Sequence, residues 1–567
     1  MLLLMSVVAS LLAVVFGRVV LLQTVRADAY REASMEQRLA TETLRAGRGT
    51  IFDRHGMELA LSVPSITVYA DPRDVRDARG TADALGQLLG WSPERIADMT
   101  TRLGSPTSHF AYVVRQVPAE LADAVLALGL PGVATYTEPQ RVVTGGDLAR
   151  GVLGRTDPDG VGISGVELLY DLDLTGVDGT VQRELDGEGR SLPTGRRTVV
   201  PPQPGDDLVL TLDRSIQFQV EQALLERVDA LAARRGTAIV MDSRTGELLA
   251  VGSVEREPGQ AARVTTANFT AVSAHEPGSV AKVITTAAAL NDNRVTPETV
   301  FEVPGAIMVD SFRITDAYPH GTEPMTVRQI LTRSSNIGTV LMSEALGVQR
   351  QYDYLKAFGF GERTHLQLPG ESPGILRPVE DWRGSERVTA SYGYGFAATS
   401  LQLVSAVNVI ANGGTYVAPR LVRGVVDSSG VLAEMPPAPR RDVLRTEVAD
   451  TMTTMMTDVV CRGTAKLAQI PGVSVAGKTG TGYKVQDTGT YVDSSGRRSY
   501  FASFVGFLPA QDPQVTILVS IDEPDPSTRD RFGGTAAAPV FAEIAQVVLR
   551  ELRIEPPLGD HGCEPTP

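Results

Sequence analysis

The sequence predicts an α+β protein in three parts: an apolar N-terminal helix, a mixed α+β module, and a larger domain with an antiparallel sheet flanked by helices. Three observations predict it. Leu2 to Leu22 carries a single charge, Arg18. Pro201-Pro-Gln-Pro-Gly205 is a breaker cluster that separates short β-rich runs from the rest of the chain. Beyond it, strand patterns open and close the remaining sequence with helical periodicity between them. The first and last strands of that domain are therefore expected to meet in one sheet. At 567 residues the chain exceeds what one core organises. The parts are placed at 1–25, 26–200 and 201–552, with a Pro/Gly-rich tail at 553–567.

The apolar run is about as long as the ~20 residues that cross a bilayer. A cleaved signal peptide would carry basic residues ahead of the run and a small-x-small site after it. No Lys or Arg precedes Arg18, and no such site follows. A buried core helix is the third reading. The run is read as an uncleaved, single-pass membrane anchor. No charge precedes it to set orientation by the positive-inside rule. The bulk of the chain is placed outside because the chemistry below requires it.

Residues 23–47, polar and rich in Ala and Arg, read as helix. Short strands follow around Ile51, Glu58–Val63 and Ile66–Ala70, then a helical stretch from Thr81 to Leu103. After the breaker, Asp207–Leu212 reads as a strand and Ile216–Leu231 as a helix. Thr237–Asp242, the turn Ser243–Gly246 and Glu247–Val251 form a hairpin. Gly278–Leu290 is an Ala- and Val-rich helix. Strand patterns return at Ser474–Ala476, Tyr500–Phe507 and Val515–Ile521, and Ala538–Leu552 is the last helix.

Three motifs in the large domain carry chemistry. The first is Ser279-Val-Ala-Lys282, introduced by Glu276-Pro-Gly278. Pro277 and Gly278 suit a turn that opens a helix, which places Ser279 at its N-terminus and Lys282 on the same face. A serine hydroxyl needs a base to become a nucleophile. A lysine serves once burial and a nearby cation lower its proton affinity. The second is Ser334-Ser-Asn336: Ser334 can relay a proton and Asn336 can donate to a substrate amide. The third is Lys478-Thr-Gly-Thr481, after a short strand. There Gly480 permits close backbone approach, and Lys478, Thr479 and Thr481 make a local site for a carboxylate. Each motif alone is more often a solvated helix face, a polar turn or a Gly-containing edge. Together, in this order and in one domain, they are the set found in penicillin-binding proteins and class A β-lactamases.

At these residues the chain resembles a class B penicillin-binding protein, and the resemblance runs nearly end to end. Arg48-Gly-Thr-Ile-Phe-Asp-Arg-His-Gly56 and Gly162-Ile-Ser-Gly-Val-Glu167 are similar to that family's pedestal signatures. Tyr394-Gly-Phe396 and Thr399-Ser-Leu-Gln402 are similar to its segment before a buried helix. The resemblance implies an elongated pedestal and a penicillin-binding transpeptidase domain of serine β-lactamase-like fold. It implies that Ser279 attacks the penultimate D-Ala carbonyl of a peptidoglycan stem peptide, with Lys282 as base. Ser334 and Lys478 shuttle the proton, Asn336 orients the substrate, and Thr479 and Thr481 bind the terminal carboxylate beside Gly480. The backbone N–H groups of Ser279 and Thr481 form the oxyanion hole. β-Lactams acylate the same serine, and no cofactor or metal is implied. Leu59-Ala-Leu-Ser-Val-Pro64 and Val68-Tyr-Ala-Asp-Pro72 resemble the division (septal) type, in actinobacterial style. That places the protein at the septum, with a lipid-linked-precursor glycosyltransferase and other division proteins as partners. The elongation type is the rival. The family usually has a basic tail ahead of its anchor, whereas here the apolar run begins at Met1, and no repeat domain follows Leu552.

A D,D-carboxypeptidase would use the same motifs. A β-lactamase would need a carboxylate to activate a deacylating water, and a bifunctional class A protein a glycosyltransferase domain. A β-lactam sensor would carry a signalling domain, and an inactive divisome scaffold need not keep all the motif side chains.

The formal charge of −14 disfavours nucleic acid, whose phosphates demand a basic face. The six histidines show no metal-ligand spacing. His275 reads as a loop residue and Gly393-Tyr-Gly395 as backbone packing rather than a phosphate loop. Asp53 and Arg54 read as a structural ion pair, and Asp522 and Glu523 as a turn. Cys461 and Cys563 either pair, if the chain faces an oxidising space, or are two unrelated thiols.

Overall fold

The computed structural model describes residues 1–25, 38–105, 107–186, 192–310, 312–486, 489–560 and 562–563. A helix at Leu2–Val20, prolonged by a π-turn at Leu21–Val25, carries the apolar run, and none of residues 2–24 is buried. It is long and apolar enough to cross a membrane.

The chain divides into two compact units. One comprises residues 1–48, 62–140 and 175–205, the other 49–61, 141–174 and 206–567. In the first, Leu39–Leu44 is a strand, paired antiparallel with Gly179–Glu184. The helix expected over 23–47 is therefore wrong at 39–44, and residues 26–37 lie outside the described residues. Leu39-Ala-Thr-Glu-Thr-Leu44 is locally compatible with helix, but pairing to a distant strand overrides that preference. The stretch Thr81–Leu103 is two helices, Ala78–Leu89 and Pro93–Leu103, capped by Asp77 and Ser92. They cover a small core of Val68, Leu85, Met99, Leu103 and Val113. Arg115 and Glu138 form its ion pair at 2.7 Å, both largely buried.

In the second unit, Ile51–Phe52 pairs parallel with Asp207–Leu210, which pairs antiparallel with Val422–Val426. Asp53 does not pair with Arg54. Its carboxylate accepts from the backbone N–H groups of His55 and Met57, closing the turn, while Arg54 faces Glu247. The sheet strands are β1 Arg235–Asp242, β2 Leu248–Glu255, β3 Arg263–Val264, β4 Ala476–Tyr483, β5 Tyr500–Leu508 and β6 Val515–Asp522. Their order is β3-β2-β1-β6-β5-β4, all antiparallel. The first strand after the breaker, Asp207–Leu210, therefore does not join the last one; it is the second, β1, that lies beside β6, from Arg235↔Asp522 to Asp242↔Val515.

The helices around the sheet include α1 Arg214–Ala230, α2 Ala281–Asn291, α3 Val327–Arg333, α4 Asn336–Leu346, α5 Ser400–Ala411, α6 Thr446–Cys461 and α7 Ala538–Glu551. α5 is buried along its whole length. Its polar side chains are bonded inside: Gln402 Nε2 donates to the Glu362 and Pro373 carbonyls and Asn408 Nδ2 to the Ser243 carbonyl. Its N-terminus is closed by a reciprocal cap between Thr399 and Gln402. Cys461 and Cys563 are disulfide-bonded, which ties the C-terminal tail to the end of α6.

Candidate functional site

The site begins with a backbone contact. Gly278 has φ +55°, and a Cβ there would lie 2.8 Å from the carbonyl oxygen of Thr481. Glycine lets the chain turn against β4 at that point. The turn Gly278–Val280 is 3₁₀, and α2 continues from it. Ser279 stands on this turn, half-buried, and Lys282 lies on the first turn of α2, fully buried.

Lys282 Nζ donates three hydrogen bonds: to the Ser334 carbonyl at 2.5 Å, to Asn336 Oδ1 at 2.7 Å and to Ser334 Oγ at 3.2 Å. Ser334 ends α3 in the left-handed region at φ +60°. Ser335 caps α4, its Oγ accepting from the Gly338 N–H. The kink between the two helices thus turns both Ser334 and Asn336 toward Lys282. From the sheet edge, Lys478 Nζ donates to the same Ser334 Oγ at 2.9 Å. Three separate motifs meet on one hydroxyl, which accepts from both amines and has its own proton left to give.

Both amines are fully buried, and burial is the main reason each holds its proton weakly. Lys282 falls to about 7, with the carboxylate of Asp316 pulling the other way. Lys478 is pushed well down by burial and then by the charge of Lys282. Two ammonium groups sharing one buried hydroxyl repel each other, so states with fewer than two protons on the pair are favoured.

The Lys478–Thr481 motif does not follow a short strand; it lies within one, β4, at the edge of the sheet. Gly480 is tightly enclosed. A Cβ there would sit 2.3 Å from Ser503 Oγ and 2.9 Å from the Pro277 carbonyl, so its lack of a side chain lets β4 press on the Ser279 turn. Thr481 is half-buried and its hydroxyl accepts from the Gly533 N–H at 3.1 Å. Thr479 is buried, its hydroxyl 2.8 Å from that of Thr464.

Several neighbours carry no motif. Asp316 accepts from Ser335 Oγ and from the backbone N–H groups of Asn336 and Ile337. Glu276 accepts from the Gly395 N–H at 2.9 Å and the Tyr491 hydroxyl at 2.8 Å, bracing the turn before Ser279. Gly393 packs on that same turn, as backbone: the Gly278 N–H donates to its carbonyl at 3.1 Å. His275 is in a two-residue strand rather than a loop, its ring stacked on Phe501. Burial drives its pKa down to about 3, so it is neutral. Asp522 and Glu523 both hold Lys484 at the end of β6.

Known proteins resemble both units. The family model described as penicillin binding protein transpeptidase domain matches residues 236–546. That described as penicillin-binding protein dimerisation domain matches 43–210. The penicillin-binding protein PbpB of Mycolicibacterium smegmatis is 31% identical, over 96% of this chain and 89% of its own length. The peptidoglycan D,D-transpeptidase FtsI of Escherichia coli is 31% identical, over 96% of this chain and 90% of its own. The crystal structure of penicillin binding protein 3 from Mycobacterium tuberculosis with aztreonam is 29% identical. It superposes with a TM-score of 0.69 over 91% of this chain and 99% of that one.

Proposed function

The chain belongs to the class B penicillin-binding proteins, and from that premise we propose that it is a peptidoglycan D,D-transpeptidase working through an acyl-enzyme on Ser279. The observation that carries the reading is the convergence of two buried amines, from α2 and from β4, on Ser334 Oγ next to the Ser279 turn.

The charged Lys282 uses all three of its N–H bonds on Ser334 and Asn336. When it loses its proton, a lone pair becomes free to take the proton of Ser279 Oγ. The Ser279 oxygen then bonds to the penultimate D-Ala carbonyl of a stem peptide, and the C–N bond to the terminal D-Ala breaks. The leaving amine takes a proton relayed from Lys282 through Ser334 and Lys478. An amine of a second stem peptide attacks the ester, forms the cross-link and returns the proton to Ser279. The backbone N–H groups of Ser279 and Thr481 face the developing oxyanion. Lys478 and the hydroxyls of Thr479 and Thr481 take the terminal carboxylate. Asn336 orients the substrate amide. A β-lactam opens on the same serine.

The N-terminal helix is proposed as a single-pass anchor with both units outside the cell membrane. The names FtsI and PbpB among the relatives favour the septum, where a lipid-linked-precursor glycosyltransferase would supply the glycan strands. Labelling the full chain with a fluorescent penicillin, wild type against Ser279→Ala, tests the acyl-enzyme. Equal labelling of both proteins refutes it. Release of D-Ala that does not yield cross-linked product when an amine acceptor is added would point to a carboxypeptidase instead. A tagged copy found along the side wall would refute the septal role.

A further inference from the structure

A short hairpin, Ala306–Val309 with Phe312–Thr315, ends beside the Ser334–Asn336 turn. The residue that follows it, Asp316, is the most densely bonded carboxylate near the amines. Its side chain is 8% exposed. One oxygen accepts from the backbone N–H groups of Asn336, at 2.5 Å, and Ile337, at 3.0 Å. The other accepts from Ser335 Oγ at 2.5 Å and faces His320 Nε2 at 3.1 Å. Asn336 Nδ2 donates to the Thr315 carbonyl at 2.8 Å, which leaves Oδ1 aimed at Lys282.

His320 is itself held on both sides. Nδ1 lies 2.6 Å from the Gly321 carbonyl and 3.5 Å from Glu323, while Nε2 faces Asp316. A neutral imidazole has one N–H, so only the imidazolium can donate to both the carbonyl and the carboxylate. Burial opposes that charge, but the Gly321 carbonyl and the two carboxylates outweigh it and raise the proton affinity of His320.

We propose that Asp316, clamped by His320, is a positioning residue of this site: it fixes the Ser334–Asn336 turn over Lys282 and is the counter-charge against which that lysine must give up its proton. The inference rests on the role of Lys282 proposed above. Charged and titratable groups surround the cluster from each packed element. They are Lys282 on α2, Lys478 on β4, Asp316 and His320 on the loop, Glu323 on the strand before α3, and Arg333 at the end of α3, which pairs with Glu323.

The Asp316 carboxylate raises the proton affinity of Lys282, and burial lowers it. Removing the carboxylate makes the amine neutral at lower pH. Removing the imidazolium charge leaves the carboxylate unopposed and does the reverse.

The test is the second-order rate of acylation of the full chain by a fluorescent penicillin, measured from about pH 5 to 9. Asp316→Asn keeps the shape and the acceptor for the backbone N–H groups. Its acid limb is expected at lower pH, so that below the wild-type inflection its rate, relative to its own plateau, rises roughly threefold. His320→Gln keeps one donor without the charge, and its acid limb is expected to move the other way. A purely structural role would scale both profiles without moving them. Profiles that superimpose on wild type after scaling, or that move in the same direction, overturn the proposal. Acylation of Ser279 in the wild type under the same conditions shows that such a failure lies here and not in the parent reading. If Asp316→Asn does not fold, the direction taken by His320→Gln still decides.

Discussion

Gly393→Ala tests how closely the nucleophile turn depends on packing from outside the motifs. Gly393 has φ +96°, and a Cβ there would lie 1.9 Å from the Gly278 carbonyl oxygen and 2.6 Å from the Gly278 nitrogen. Ordinary contact begins near 3.4 Å, so the two backbones must part by about 1.5 Å, the difference between these distances. The atoms struck are main chain and cannot rotate away. Holding alanine at this φ costs about 1–3 kcal/mol, and forcing a methyl into a filled site costs about 1–3 kcal/mol more. Gly278 directly precedes Ser279, and a misplacement of about 1 Å in a reacting group costs on the order of 100-fold in rate. The expected outcome is a loss of roughly 100-fold in the second-order rate of penicillin acylation, together with a destabilisation of about 2–6 kcal/mol. Stopped-flow acylation and urea denaturation measure the two effects. Gly430→Ala is the control: φ is +78°, but nothing lies within 4 Å of the added methyl. It should lose only the backbone contribution and leave acylation unchanged. An acylation rate for Gly393→Ala within threefold of wild type would refute the reasoning.

Ser334→Ala removes the hydroxyl on which both amines converge. Acylation should fall by about 10²–10⁴ with the circular dichroism spectrum unchanged, and a fall below tenfold would deny Ser334 a part in proton transfer. Glu221 is a buried carboxyl, pushed up to about 7 chiefly by burial although the Ala149 and Gln217 N–H groups donate to it. Its folded state binds the proton more tightly than its unfolded state, so stability is lost as pH rises from the ordinary carboxylate range through about 7. Glu221→Gln should be more stable than wild type at pH 8 by on the order of 3 kcal/mol and no more stable at pH 4, as read from denaturation midpoints. The disulfide Cys461–Cys563 closes a ring with a sequence separation of 102. Cys563→Ser should destabilise the unit by about 3–5 kcal/mol and leave penicillin labelling intact below the new melting temperature; an unchanged melting temperature would show that the ring constrains nothing.

The parts of the site that sequence reveals are those where residue type alone implies chemistry. Ser279, Lys282, Ser334, Asn336 and Lys478 are legible because few other roles need those side chains in that order. What gathers them is less legible. Nothing local marks Ser334 as left-handed; the bend follows from α3 ending where Ser335 and Asp316 cap α4. Lys478–Thr481 reads as lying beyond the strand at Ser474–Ala476 because glycine is poor in strands. It is a strand because Gly477 leaves room for the Phe504 ring, which would lie 2.4 Å from a Cβ, and because Gly480 admits the Ser279 turn. Asp316 and His320 lie in a polar loop, where an Asp four residues before a His carries no signal. The strand at Leu39–Leu44 was hidden for the opposite reason: its own composition suits a helix, and its partner is far away in the chain. The cysteine pair could be paired only by folding, since spacing alone leaves two thiols undefined.

The second unit recruits residues 49–61 and 141–174 from ahead of its main stretch, and this sets an order of events during synthesis. Thr50 bonds to the Asp207 side chain across a sequence separation of 157 residues, next to the parallel pairing of Leu208 with Ile51. At ~5–20 residues per second a ribosome needs roughly 8–30 s to supply that partner. Through that interval the Ile51 strand emerges with its parallel neighbour still unmade, exposed to any other strand edge nearby. A protein begun after the breaker would be spared the wait, but it would lack the strand that its own sheet is built to receive.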